Sequence, residues 1–594
     1  MLLAAAPAAA AEPPAPPAIT GFQMQAATKL ADALEFEFIP LAPIGPGFYA
    51  VVKSKHVGGE GVAYLGPDPV RAFWSFGSDP PEDVLRASTL ERVTGDVRFD
   101  TTKGRITGDV RLKIATGGAR LIPVMLDALP ESLRIEMGNG RPCGFRLVPS
   151  RDIVVIELPG PADTVELRIR WESRTPQIDH VHIRKDSLLL PGLYPWVPTL
   201  PKTDAEFELT FAYRKSFDLL PGGRSGRVTT TFDGWRSVST KFRSDQPVTL
   251  AGRKAWVRHP FDLDGVPVTL ALEPRDVAKL APLEASVRHA FSALRPLGPL
   301  PHRLAIAWCP QTEYQGIASR GFIGLDDFDR HVVAHELAHQ YFQDIDDAPP
   351  PLKAWEQLPA RRDWSGDWTE AVAEFLATWS KDENEARAHR LGWSFRYAHV
   401  SDLLPLREIR DKGLPFDDPR HVIVYTKGPL LLAEMERRLG RERMAASITA
   451  FIAEHRGKRA DWADLADAFG GDDARWLRKW LTIPGAPRIV LKDLTVAGGF
   501  VEGTVAVTPG AFEGVVQLGV ITTRDAATLR MDQAPSQIHD VAFAGEATRF
   551  RLPIGEGATG LLIDPDHRLP RRWDGFEGLF VALPDEALAS PPSP

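Results

Sequence analysis

Apolar and polar positions alternate with a period of two from Val93 to about Pro274, in runs such as 108–114, 152–158, 164–170 and 205–211 separated by turn residues. A half-buried strand shows that period because successive side chains point to opposite faces of a sheet. Strands repeated this often predict a β-sandwich. Ahead of it, strand-like runs such as 47–53 are broken by Gly and Pro, a small β-rich segment over 21–92 with no assigned role. Beyond Pro274 the period lengthens, and Leu280, Leu283, Val287, Ala290 and Leu294 fall on one face of a helix. A continuous apolar run at 303–308 then reads as a buried strand. Helical patterns dominate 367–481, including 428–439, which Gly440 closes as a C-cap. After Pro484 strands return at 488–491, 501–507, 515–520 and 561–563. The predicted fold is multidomain α+β: a β-sandwich over 93–274, an α/β region passing into a helical region over 275–482, and a C-terminal β-sandwich over 483–580. A leader (1–20) and a disordered tail (581–594) flank it.

Length and composition agree with several cores, since 594 residues at 44% hydrophobic content exceed what one core needs. The 15 Trp and 29 Phe exclude a disordered chain, and the 52 Pro and 49 Gly fit many turns between short strands. Lys and Arg number 70 against 78 Asp and Glu, without a basic block, which argues against nucleic acid or an anionic membrane surface as partner. Cys143 and Cys309 are too few for a disulfide framework; they are either one bridge or, more in keeping with their sparseness, two buried thiols. The first residues combine an apolar run with an Ala-x-Ala-like site near 9–11 but lack a basic start. They read either as a signal peptide, with export to the periplasm or outside the cell, or as a disordered leader on a cytoplasmic chain. No other stretch reaches the roughly 18 apolar residues of a membrane-spanning helix, so no integral membrane segment is expected.

Candidate chemistry concentrates in the middle of the chain, where a helix capped by Asp326 or Asp327 carries His335, Glu336 and His339. Residues four apart share a helix face, so both imidazoles can reach one ion, and Glu336 stands close enough to take a proton from a metal-activated water. Two histidines hold a catalytic zinc weakly, and a third ligand is needed. Downstream, Glu370 and Glu374 sit among Ala, Val and Phe at helical spacing, where an unpaired carboxylate is costly. Either could supply the ligand, with the other on an exposed stripe.

These residues carry a family resemblance. His335-Glu336-Leu337-Ala338-His339-Gln340-Tyr341-Phe342, followed by Trp368-Thr369-Glu370-Ala371-Val372-Ala373, resembles the M1 aminopeptidases, gluzincins that usually read HELAHQWF and then WLNEGFA. The resemblance implies a thermolysin-like catalytic domain and one Zn2+ held by His335, His339 and Glu370, with Glu336 as the general base. It extends to Tyr425-Thr426-Lys427-Gly428, similar to the family's Tyr-x-Lys-Gly element, whose tyrosine hydrogen-bonds the tetrahedral intermediate. Two departures stand out. The 30 residues between His339 and Glu370 exceed the family's usual spacing, the excess falling in a Pro-rich loop from Asp344 to about Trp355. Upstream, the edge strand that binds substrate aligns with Gly316, Ile317 and Ala318, and Ala318 stands where the family has the glutamate that anchors a free amino terminus. The implied function is zinc-dependent peptide-bond hydrolysis of a peptide substrate, aminopeptidase-like without the usual anchor. The alternatives are a non-catalytic peptide-binding or assembly protein on the same fold, and a zinc hydrolase of a non-peptide bond.

Overall fold

The computed structural model describes residues 88–584 apart from internal stretches, the longest being 348–366, 407–418 and 523–534, and before them the backbone of four strands between 36 and 76. The expected leader lies outside the described residues. The four early strands, Phe36–Ile44, Gly47–Ser54, Glu60–Leu65 and Ala72–Phe76, form an antiparallel meander in chain order. Mixed α and β content over several sheets and helices makes the chain a multidomain α+β protein. Two compact units divide it: one holds Met1–Phe217 and Arg224–Pro247, the other Asp218–Gly223, Val248–Pro350 and Arg361–Pro594.

In the first unit a seven-stranded sheet runs from Val228–Thr230 at one edge to Ser132–Met137 at the other. It is antiparallel except where Ala205–Arg214 pairs with Thr89–Asp100. The alternation read from sequence is visible in Thr164–Arg174, where Val165, Leu167, Ile169 and Trp171 are buried and the residues between them are not. Gly108 is opposite Trp171, and a Cβ there would meet the indole ring. The sheet needs glycine at that point.

The second unit contains a five-stranded sheet made of β1 (Val257–Leu263), β2 (Val266–Leu272), β3 (Leu304–Trp308), β4 (Gly316–Ser319) and β5 (Phe322–Leu325). Its order is β1-β2-β3-β5-β4, with β3 parallel to β2 and β5 and with β4 antiparallel to β5 at the edge. Helix α1 (Leu280–Leu294) precedes β3 and buries Leu283, Val287, Ala290 and Leu294, the face its periodicity marks. Helix α2 (Arg330–Phe342) follows β5. Then come α3 (Asp367–Ala377), α4 (Glu383–Ala398), α5 (Pro419–Val424), α6 (Lys427–Leu439), α7 (Arg441–His455), α8 (Trp462–Phe469) and α9 (Gly471–Thr482). Gly440 closes α6 with φ 78°, in the left-handed region that favours glycine. The strands after Pro484 form a three-stranded and a four-stranded sheet. They share one apolar core with the helices, and the indoles of Trp476 and Trp480 both donate to the Glu513 carbonyl at 3.0 Å.

Three expectations change. The cap of α2 is Asp329, whose carboxylate accepts the His331 N–H at 2.7 Å, instead of Asp326 or Asp327; Asp327 in turn accepts the Asp329 N–H. The helix starts where a side chain can take its first free N–H group. Asp346–Asp347, inside the expected loop, forms a short parallel pair with Arg459–Ala460, and the rest of that loop lies outside the described residues. Phe580–Ala582, expected near the start of a disordered tail, pairs with Gly560–Ile563. Both cysteines are free and buried, and burial pushes their thiols up, to about 12 for Cys143 and about 11 for Cys309. Among the described residues no helix is long and apolar enough to cross a membrane.

Candidate metal centre and active site

Helix α2 presses Val333, Ala334, Leu337, Ala338 and Tyr341 into the core, which leaves its other side to carry His331, His335 and His339. Helix α3 packs on that side and brings in Glu370 and Glu374, one turn apart. His335 Nε2 lies 3.1 Å from His339 Nε2 and 3.2 Å from Glu370 Oε2, and His339 Nε2 lies 3.3 Å from the same oxygen. These separations match the edges of a tetrahedron whose metal–ligand bonds are roughly 2.0–2.1 Å long. A two-histidine, one-carboxylate set with its fourth position open is a donor set that suits zinc.

The tautomer of His335 is set from behind. Its Nδ1 lies 3.1 Å from Glu374 Oε2, so a neutral imidazole donates there and turns the lone pair of Nε2 toward His339 and Glu370. Glu374 is therefore not on an exposed stripe, as one of the two glutamates was expected to be. Its side chain is 13% exposed against 12% for Glu370, because α3 is packed against other helices on more than one side. His331 Nε2, His389 Nε2 and Trp393 Nε1 surround the same carboxylate at 3.1, 3.2 and 2.9 Å. The i−4 spacing of His331 from His335 could have exposed its role in the sequence. Nothing local marks His389 or Trp393, which arrive on α4.

The electrostatics favour positive charge at this point. Burial opposes protonation of His335, yet hydrogen bonds with Glu370 and Glu374 hold its imidazole well above the usual histidine range. Burial likewise opposes ionisation of Glu370, but His339 and His335 hold its carboxyl well below the usual range. A proton and a metal ion compete for such a set of donors. Glu336 behaves differently: burial outweighs the neighbouring His335 and His339 and pushes its carboxyl up.

Glu336 lies against the edge strand. A Cβ added to Gly316 would stand 2.5 Å from both Cγ and Oε1 of Glu336, so the carboxylate occupies the space that a side chain on β4 would take. Ile317 and Ala318 are buried, Ala318 within the core, and Ser319 bonds Thr249 through its hydroxyl. The described part of β4 thus presents backbone and no carboxylate; Glu313, just upstream, lies outside the described residues. Tyr425 sits in the turn between α5 and α6, with its ring stacked on His421 at 4.4 Å and its hydroxyl donating to Glu370 Oε2 at 2.7 Å. The structure thus gathers His335, Glu336, His339, Glu370, Tyr425 and Gly316 from four separate stretches of sequence.

Comparison with known proteins agrees in direction. No protein-family model matches the chain. It is 28% identical over 186 residues to the "Probable aminopeptidase 1" of Sulfurisphaera tokodaii, a match covering 29% of this chain and 21% of that protein. It is 27% identical over 168 residues to the "Aminopeptidase N" of Lactococcus lactis subsp. cremoris (26% and 19%). With the "Tricorn protease-interacting factor F2" of Thermoplasma acidophilum it shares 25% over 224 residues (35% and 27%). The match thus spans about a quarter or less of each relative's length. Among solved structures, Legionella pneumophila aminopeptidase A in complex with aspartic acid aligns with a TM-score of 0.61 and 12% identity, over 83% of this chain and 60% of that one. In sequence and in fold, the chain is similar to the M1 aminopeptidases.

Proposed function

We propose that the chain is a zinc-dependent hydrolase of peptide bonds, of the M1 type. The observation that carries this reading is the convergence of three ligating atoms at tetrahedral spacing beside a buried carboxylate that touches the sheet edge. His335, His339 and Glu370 would hold the metal. Zinc bound there would lower the pKa of a water molecule and polarise a peptide carbonyl. Glu336 accepts the proton from that water and passes it to the departing amine. Tyr425 has a single phenolic proton, given to Glu370 in this structure, and turning it toward the substrate supplies a donor for the developing oxyanion. β4, at the edge of its sheet among the described residues, offers its backbone groups to an extended peptide, which aligns the scissile bond without reading its side chains.

Because Ala318 replaces an acidic anchor, the substrate on this reading is a peptide held mainly through its backbone, with a free amino terminus not required. Two substitutions test the centre. Glu336→Gln is expected to keep zinc and lose nearly all turnover, whereas Glu370→Ala is expected to lose zinc, both read by metal content and peptide hydrolysis. A Glu336→Gln enzyme with full activity would remove Glu336 as the base. Matched peptides with free and N-acetylated termini are expected to be cleaved at similar rates, and strict dependence on the free amine would show an anchor elsewhere.

A further inference from the structure

A second set of ligating side chains lies beside the first. His331 on α2, Glu374 on α3 and His389 on α4 bring one donor atom each to within 4.8 Å of one another. His331 Nε2 stands 3.1 Å from Glu374 Oε2 and His389 Nε2 3.2 Å from Oε1, so two imidazoles face the two oxygens of one carboxylate. The separations repeat those at the first centre, 3.2 and 3.3 Å between imidazole nitrogen and carboxylate oxygen. Trp393 Nε1 and His335 Nδ1 also donate to Oε1 and Oε2, at 2.9 and 3.1 Å, and hold the carboxylate in place from outside the cluster. The two imidazole rings lie 4.1 Å apart.

The cluster is also shielded from solvent. The His331 and Glu374 side chains are 14% and 13% exposed, and the three residues come from three different helices, so the packing of α2, α3 and α4 brings the donor atoms together.

We propose that His331, Glu374 and His389 form a second site for a divalent transition-metal ion, linked to the first through the hydrogen bond between Glu374 and His335. Two imidazole nitrogens and one carboxylate select ions of the zinc, cobalt, nickel and copper group over magnesium and calcium, which prefer all-oxygen shells. His389, the most exposed of the three at 27% of its side chain, marks the side from which the ion enters. The site is independent of whether the first centre cleaves peptides, and metal counting separates the two.

The test uses the full chain, equilibrated with zinc chloride, freed of loose metal by gel filtration and assayed for metal per chain by mass spectrometry. The wild type is expected to hold two ions, and His389→Gln and His331→Gln one each. His339→Gln, which removes a donor of the first centre, is also expected to hold one, so the sites are counted separately. Circular dichroism confirms that each variant is folded. Cobalt titration of the wild type needs no variant and is expected to show visible absorption rising in two steps of one equivalent. A wild-type chain that saturates at one ion, or a folded His389→Gln chain that still holds two, overturns the proposal and leaves the cluster as a hydrogen-bonded support for His335.

Discussion

Glu336 owes its place to a residue with no side chain. Gly316 leaves open the space into which the Glu336 carboxylate packs, 2.5 Å from where a Cβ would be. Gly316→Ala is therefore expected to push the base out of line while leaving His335, His339 and Glu370 untouched. A misplacement of about 1 Å at a reacting group costs about a hundredfold in rate, so kcat is expected to fall by that order with zinc content unchanged. Single-turnover hydrolysis on the zinc-loaded variant measures it, and wild-type turnover would show that Glu336 adjusts without loss. At the same scale, partner atoms distinguish Glu370 from Glu374: Glu370 faces the Nε2 atoms of His335 and His339, Glu374 the Nδ1 of His335.

At the level of elements, the centre depends on how closely three helices approach. Gly428 lets α6 rest on α3, since a Cβ there would come 2.5 Å from the Cβ of Ala371, the neighbour of Glu370. Gly428→Ala forces the helices apart and is expected to cost about 1–3 kcal/mol, as overpacking of a filled core does. Urea unfolding checks the stability, and a parallel fall in kcat is expected because Tyr425 lies in the turn that opens α6. Past the end of α2, Asp344 is bound by His302 at 3.1 Å and by Arg320 at 2.8 Å. Burial opposes its ionisation, but these groups and Arg456 outweigh burial and hold the carboxyl below the usual range. Because the folded value is depressed, its stabilisation is present above the ordinary carboxylate range and is lost as pH falls through the folded value. Asp344→Asn is expected to cost about 2 kcal/mol at pH 7. The gap from wild type should close on acidification; one that persists at acid pH would show that the loss is steric.

For the molecule as a whole, the proposed metal site would couple metal binding to folding in the second compact unit. An ion that binds only the folded state stabilises it by about 2.7 kcal/mol when free metal is a hundred times its dissociation constant. Chelation is therefore expected to lower one calorimetric transition by several degrees, reversed on adding zinc. A transition assigned to the first unit, which contains none of the ligating residues, should not move. A chelation-insensitive thermogram would argue against a resident metal.

Much of this was legible before any coordinates. Period-two and helical spacing are local properties of the chain, so the strands over 108–114, 164–170 and 205–211, the apolar face of α1 and the stop at Gly440 follow from the residues themselves. The pair His335 and His339 is equally local, because the helix sets the geometry of residues four apart. Glu370 and Glu374 stand out together by their apolar surroundings, but only resemblance chooses Glu370 between them and only resemblance identifies Tyr425, because no local rule says which distant carboxylate or phenol meets a helix face. Tertiary packing alone decided that Glu374 is buried behind His335, that Asp329 takes the cap, that Gly316 makes room for Glu336, and that His389 completes a second cluster. Each of these depends on contacts between residues far apart in the chain or on competition among neighbours for one backbone N–H. A sequence pattern encodes the face a residue occupies, and packing chooses what that face meets.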